Sequence, residues 1–254
     1  MEHFMAAYHT DVGIKKKTNQ DSLLLKSASD GTEEVLLAVL CDGMGGMEKG
    51  ELASAAVIRA FSGWFMDYCG KAGAGTPFSG IKSVWDEMLR ELNQRLINYG
   101  ANSHIQLGTT VTAIFFVQRH YLICHVGDTR IYLMNHNIQQ LTEDHTFVAR
   151  EVRRGNMTEA QAAEDTRRNV LLQCIGVNAF LEPQFLEGNL ESEDRILLCS
   201  DGFRHEISEQ ELSERLGGKA LSESDIKRRL YEMVELNKQR GETDNISAIL
   251  IQVP

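Results

Sequence analysis

Three runs rich in Val, Ile, Leu and Phe follow one another almost without interruption: Thr109 to Val117, Tyr121 to Val126 and Arg130 to Met134. Only short turns separate them, Gln118-Arg119-His120 and Gly127-Asp128-Thr129, and Asn135-His136-Asn137 leads on towards Leu141. Parallel neighbours need a crossover of about a dozen residues or more, whereas antiparallel neighbours can be joined by a tight turn. The chain therefore commits to antiparallel meanders and excludes a sheet built from βαβ units. Val35 to Cys41, Arg195 to Cys199 and Ile246 to Val253 add further strand-like runs, enriched in the residues that pack well on a pleated surface.

Helical periodicity lies between and beyond these runs. Ile81, Val84, Trp85, Met88, Leu89, Leu92, Leu96 and Ile97 recur at three- and four-residue spacing, with Asp86, Glu87, Arg90, Glu91 and Arg95 on the other side, which predicts one amphipathic helix. From about Glu51 to Tyr68 the chain is apolar around more of its circumference and should be more deeply buried. Ile226, Leu230, Met233, Val234 and Asn237 are in phase in a third helix, just before the last strand. Gly70 to Pro77 joins the first two helices and matches no phosphate-loop spacing, so it reads as a connector.

With three prolines and no Ser/Pro-rich linker, residues 1–254 are expected to form one domain. The expected class is α+β: two antiparallel β-sheets form a central sandwich flanked by helices. Residues 145–188 are richer in charge. There Arg153-Arg154-Gly155-Asn156 ends one short helix and Thr158-Glu159-Ala160-Gln161 starts another, which predicts a surface subdomain suited to cover an active site.

Two apolar runs end alike, in Cys41-Asp42-Gly43 and Cys199-Ser200-Asp201-Gly202. A buried strand fixes the direction of the carboxylate that follows it, and glycine lets a main-chain carbonyl approach a ligand. Three more aspartates sit at comparable junctions: Asp21 before a strand, Asp128 in the turn after Val126, and Asp244 before the last strand. Turn formation alone does not require a carboxylate at all five. An all-oxygen donor set, with no adjacent His or Cys, specifies a hard cation, Mg²⁺ or Mn²⁺ before Zn²⁺. Two such ions about 3.5–4 Å apart are a recognised device for displacement at phosphorus.

Eight motifs then occur in one register: Asp11-x-Gly13 with Lys16-x-x-Asn19-Gln20-Asp21, Asp42-Gly43-Met44-Gly45-Gly46 with Gly50, Gly108-Thr109-Thr110, Val126-Gly127-Asp128-Thr129-Arg130, Leu141-Thr142-x-Asp144-His145, Arg168-Asn169-Val170-Leu171, Ser200-Asp201-Gly202, and Asp244-Asn245. In this order they resemble the type 2C, metal-dependent serine/threonine protein phosphatases, in their bacterial single-domain form, over nearly the whole chain. The resemblance implies hydrolysis of phosphoserine and phosphothreonine at a binuclear Mn²⁺ or Mg²⁺ centre, by metal-activated water and without a protein nucleophile. It implies that Asp42 bridges two metals, that Asp21 and the Gly43 carbonyl serve the second, that Asp201 and Asp244 serve the first, and that Asp128 holds a third, weaker ion. These aspartates would be the catalytic set, and residues 145–188 the family's variable flap.

The chain departs from the family pattern at three places. Lys16 stands where an arginine usually clamps the phosphate, keeping the charge but losing the two-pronged hydrogen bond. Met47 and Asp165 stand where relatives carry histidines, which leaves His145 as an alternative proton donor or a structural residue. The other histidines show no metal-ligand spacing. A phosphatase-fold binding module and a two-metal nuclease are the competing readings.

The expected partners are phosphorylated protein substrates of a Ser/Thr kinase. With 26 Lys+Arg against 36 Asp+Glu and a formal charge of −10, nucleic acid is disfavoured. No run approaches the roughly 20 apolar residues of a membrane helix, the start carries no export signal, and the five cysteines show no paired spacing. A cytoplasmic, monomeric protein with reduced thiols is expected.

Overall fold

The computed structural model describes residues 3–45, 49–70, 75–218 and 221–254; Met47 and part of the Gly70 to Pro77 connector lie outside them. The N-terminal half comprises β1 (Met5–Asp11), β2 (Ser22–Ser29), β3 (Glu34–Cys41), β4 (Gly43–Gly45), α1 (Gly50–Gly70), α2 (Phe78–Ser103), β5 (Leu107–Thr109), β6 (Val111–Val117) and β7 (His120–Val126). Then follow β8 (Arg130–Met134), β9 (Ile138–Gln140), α3 (Phe147–Arg153), α4 (Glu159–Glu164), β10 (Gln184–Asn189), β11 (Arg195–Cys199), α5 (Asp201–Arg204), α6 (Glu209–Leu216), α7 (Glu223–Arg240) and β12 (Ile246–Gln252).

The strands form two five-stranded antiparallel sheets, ordered β1-β12-β11-β8-β9 and β10-β7-β6-β3-β2, with β4 and β5 as a separate pair. Alternate residues explain why the central strands read as continuous apolar runs. Leu36, Ala38 and Leu40 of β3 meet Ile196 and Leu198 of β11 and Ile249 and Ile251 of β12 between the sheets. Leu37, Val39 and Cys41 face outward onto Val57, Phe61, Trp85 and Leu89 of α1 and α2, while Leu197, Cys199 and Leu250 face Leu230, Met233 and Val234 of α7. Both faces of each sheet are covered, so period-two alternation disappears where burial is two-sided.

The expected sandwich between helices is what forms. The pattern singles out neither β1 nor β10, and both are edge strands, with one side open to solvent and a correspondingly mixed sequence. In the 145–188 region Thr146 caps α3, and Thr158 closes a capping box with Gln161 at α4. Four cysteines are buried, Cys69 is exposed, and all five are free thiols. Among the described residues no helix is long and apolar enough to cross a membrane.

Candidate metal centre

The end of β3, the starts of β2 and β12, the β7–β8 turn and the beginning of α5 carry Asp42, Asp21, Asp244, Asp128 and Asp201 to one end of the sandwich. Asp42 stands at their middle: burial first, and then the charges of Asp21, Asp201, Asp128 and Asp244, push its carboxyl well above the usual range. Its main chain is fixed from both sides. The N–H donates to Thr110 Oγ1 at 2.9 Å, and the carbonyl accepts from Thr110 N and Thr109 Oγ1, each at 2.9 Å.

Gly43 follows at a three-way close approach. A Cβ there would stand 2.5 Å from the carbonyl oxygens of both Gln20 and Gly50, so only glycine admits the lead-in to β2, the start of α1 and this corner together. The Gly43 N–H donates to Gln20 O at 3.2 Å.

Asp21 is the least satisfied group in the site. Among the described residues its two buried carboxylate oxygens close no hydrogen bond. Burial, reinforced by Asp201 and Asp244, pushes its carboxyl up to about 7, although the nearby Ser247 and Ser200 hydroxyls pull the other way. Asp128 is likewise pushed up to about 7, by burial and the Asp201 charge, with Arg204 opposing. Arg204 donates to the Asp128 carbonyl at 3.2 Å and stands 3.5 Å from Asp144 Oδ2, the carboxylate that Arg130 holds with two 2.8 Å bonds.

Asp201 and Asp244 are better supported locally. Asp201 Oδ1 accepts from Gly202 N at 2.6 Å, and its Oδ2 is 3.7 Å from His205 Nε2. His205 Nδ1 reaches Glu242 Oε2 at 3.3 Å, and Glu242 Oε1 accepts from Thr243 N at 2.6 Å and Asp244 N at 2.8 Å, so this chain of contacts sets the turn that presents Asp244. Asn245 ties that turn to the N-terminal loop, donating to Val12 O at 3.0 Å and Thr18 O at 3.2 Å while accepting from Gln20 N at 2.9 Å. Gly13, at φ +76°, is the one residue type that fits there, because a Cβ would fall 2.2 Å from Asp244 O. The loop so held places Lys16 Nζ 2.8 Å from Asp244 Oδ1. Burial lowers the Lys16 pKa, but the Asp244 hydrogen bond and the charges of Asp244, Asp42 and Asp201 outweigh it and leave it raised.

Among the described residues no three His, Cys, Asp or Glu side chains close into a ready-made metal cage; the aspartates share one electrostatic neighbourhood without converging. The donor set nevertheless fits a hard cation. It is all oxygen, it concentrates negative charge in a poorly solvated place, and the Asp21 oxygens are buried with no hydrogen bond closed among the described residues and only the Ser247 and Ser200 hydroxyls nearby, a costly arrangement unless a cation meets it. A cleft of about 1050 Å³ opens beside Asp128 and Asp244 and runs along α3 and α4, where Arg168 and Asn169 line it.

Residues 12–250 match the protein phosphatase 2C family. The chain belongs to that family. It is 32% identical over 253 residues to the serine/threonine phosphatase stp of Listeria monocytogenes serovar 1/2a, covering 97% of this chain and 95% of that one. It is 28% identical over 249 residues to the protein phosphatase PhpP of Streptococcus pneumoniae serotype 2, covering 96% and 95%. The serine/threonine phosphatase of S. agalactiae superposes with a TM-score of 0.86 at 27% identity, over 99% of this chain and all of that one. The catalytic domain of the phosphatase PstP, solved with two manganese ions, gives 0.79 at 28% identity over 98% and 97%.

This protein phosphatase 2C departs from the sequence reading in its histidines. His205, to which the motif spacing assigns no role, sits between Asp201 and Glu242, and His125 lies fully buried behind Asp42. A histidine at i+4 from Asp201 on a short helix is the signal that could have found the first. Asp165 caps the end of α4 and pairs with Arg167. The imidazole Nδ1 of His145 accepts from Gly127 N at 3.2 Å while the main-chain N–H of His145 donates to Gly127 O at 2.7 Å, a structural clasp.

Proposed function

We infer that this chain is a metal-dependent serine/threonine protein phosphatase that hydrolyses phosphoserine and phosphothreonine in proteins and so reverses Ser/Thr kinase signalling. One observation carries the site assignment: four aspartates from four separated segments surround Asp42, and the carboxylate of Asp21 is buried there with neither oxygen hydrogen-bonded among the described residues. Asp42 would bridge two Mn²⁺ or Mg²⁺ ions, Asp201 and Asp244 would hold one, Asp21 and the Gly43 carbonyl the other, and Asp128 a third. When bound, divalent ions bring the pKa of water down towards about 7 and polarise the phosphoryl group.

The chain's own groups do the rest. Lys16, beside Asp244, binds a phosphoryl oxygen as a point charge rather than as a fork. Burial raises the thiol pKa values of Cys41, Cys124, Cys174 and Cys199, which supports a mechanism without a protein nucleophile. Residues 1–254 act as one catalytic domain, monomeric and cytoplasmic, with 145–188 as a flap along the cleft.

Release of phosphate from a phosphothreonine peptide tests this reading. Release should require Mn²⁺ or Mg²⁺ and be abolished by Asp42→Asn and by Asp201→Asn. Activity indifferent to a chelator overturns it, and turnover of single-stranded DNA in preference to phosphopeptide would move the chain to the nuclease class.

A further inference from the structure

Behind Asp42 lies a run of polar side chains that the proposed reaction does not use. Thr110, Thr112, His125 and Thr129 are all fully buried, yet each is hydrogen-bonded. His125 Nε2 is 3.0 Å from Glu143 O, a pure acceptor, so Nε2 carries the ring proton and Nδ1 must accept. The Thr112 hydroxyl, 2.8 Å away, is the donor to Nδ1. With its proton committed, Thr112 Oγ1 accepts from the Thr129 hydroxyl, and Thr129 Oγ1 lies 3.4 Å from Thr110 Oγ1. Thr110 Oγ1 in turn receives the Asp42 N–H.

The run thus has one direction of donation around His125 and two ends in the site. One end is the main chain of Asp42. The other is Glu143, next to Asp144, which holds Arg130 and, through Arg204, the carbonyl of Asp128. The His145 ring packs on the His125 ring at 4.9 Å and clasps Gly127.

We propose that His125 is a positioning residue for the phosphatase reaction: as acceptor from Thr112 and donor to Glu143, it sets the Asp42 corner and the Asp128 turn relative to one another. This rests on the reading of Asp42 and Asp128 as metal ligands. Groups of this kind, one step removed from the ligands, orient them without touching substrate. A buried network worth keeping must also be satisfied throughout, because the low dielectric that strengthens its bonds penalises any that are lost.

The test compares His125→Leu, His125→Asn and Thr112→Val. Asparagine can place Oδ1 where Nδ1 stands, and so keep an acceptor for Thr112, while leucine cannot. Activity on a phosphothreonine peptide and calorimetric titration with Mn²⁺ are measured for each, with far-ultraviolet circular dichroism to establish folding. His125→Leu should lower kcat and weaken Mn²⁺ binding by about 10- to 100-fold, with KM nearly unchanged. His125→Asn, which keeps the acceptor for Thr112 but cannot reach Glu143 O, should fall between the parent and His125→Leu in both kcat and Mn²⁺ affinity.

A folded His125→Leu protein with parental kcat and Mn²⁺ affinity overturns the proposal, as does a His125→Asn protein impaired as much as His125→Leu. If His125→Leu does not fold, Thr112→Val decides: a loss in both kcat and Mn²⁺ affinity supports the proposal and parental values overturn it. Asp42→Asn is assayed alongside. If Asp42→Asn keeps activity, the ligand assignment fails and takes the proposal with it. If Asp42→Asn is inactive while His125→Leu is unimpaired, only the role of His125 fails.

Discussion

Two clusters of buried polar groups share the backbone of Asp42, and they obey opposite rules. In front, the carboxylates of Asp21, Asp42 and Asp128 are crowded with like charge, and neither Asp21 oxygen closes a hydrogen bond among the described residues. Behind, every hydroxyl and both nitrogens of the Thr110, Thr129, Thr112 and His125 run have partners. An unpaired buried charge costs free energy that only a counter-charge can return, whereas a satisfied network stabilises and fixes geometry. On the proposed assignment the front cluster gives up stability that a bound cation would return, and the rear one would hold the ligands still.

The largest effect that could break this contrast is that of Asp42→Asn. Phosphatase activity should fall by about 10³-fold, yet the melting temperature in chelator should rise, because an amide removes charge from a repelling group. Each kcal/mol corresponds to about 2–4 °C for a chain of this size. Thr112→Val, in the rear cluster, should move the melting temperature down, since it strands His125 Nδ1 without a donor, at a cost of about 1–3 kcal/mol. If both variants melt lower than the parent, the front cluster is not a store of repulsion.

Manganese supplies the next largest test. Ligand that binds only the folded chain adds about 2.7 kcal/mol at a hundredfold excess over Kd. Thermal denaturation of the parent should show a saturable rise on adding Mn²⁺, and Asp42→Asn and Asp21→Asn should show little of it. An equal rise in Asp21→Asn would remove Asp21 from the site.

The rear cluster predicts an acid sensitivity of its own. Burial first, and then the neighbouring His145 charge, lower the His125 pKa to about 3, against about 6.5 in an unfolded chain. Between these values the unfolded state binds a proton that the folded state refuses. The stabilising difference is thus intact above about pH 6.5 and is lost progressively as pH falls towards 3. From pH 6.5 to 5.0 the loss amounts to roughly 2 kcal/mol. Urea denaturation at pH 7.5 and 5.0 should show the parent losing that much more than His125→Asn, which does not titrate. Parallel losses in the two proteins would mean that His125 is protonated in the fold.

What the sequence made legible follows the same division. The central strands and the three long helices are readable because their burial is one- or two-sided and regular: all five in-phase residues of α7, from Ile226 to Asn237, are buried. Asp42 and Asp201 are readable because each ends a buried run. The edge strands β1 and β10 are not, since exposure on one side dilutes the pattern. His125 is hidden for a different reason. Its function depends on Thr112, Thr129 and Glu143, residues brought to it by pairing of β6 with β7 and by the loop after Leu141, and no spacing along the chain encodes which hydroxyl faces which nitrogen. Likewise His205 and Glu242 meet only because α5 folds back on the turn before β12.

The smallest effect concerns Lys16, the cation that the N-terminal loop places against Asp244. Its ammonium is partly exposed, with 41% of the side chain accessible, and it pairs with Asp244 Oδ1 at 2.8 Å. An exposed pair of this kind is worth at most about 1 kcal/mol to the fold, so Lys16→Ala should leave stability nearly unaltered. A phosphoryl group next to Asp244 would meet the same ammonium, and losing that charge should raise KM for a phosphothreonine peptide by about tenfold, or 1.4 kcal/mol. Lys15→Ala, with no contact of this kind, should change KM by less than about twofold. Lys16→Arg sharpens the test, because a planar guanidinium can engage two phosphoryl oxygens where an ammonium engages one. KM should then drop below the parental value, and an unchanged or higher KM would mean that this loop is shaped around lysine's shorter reach and not around phosphate.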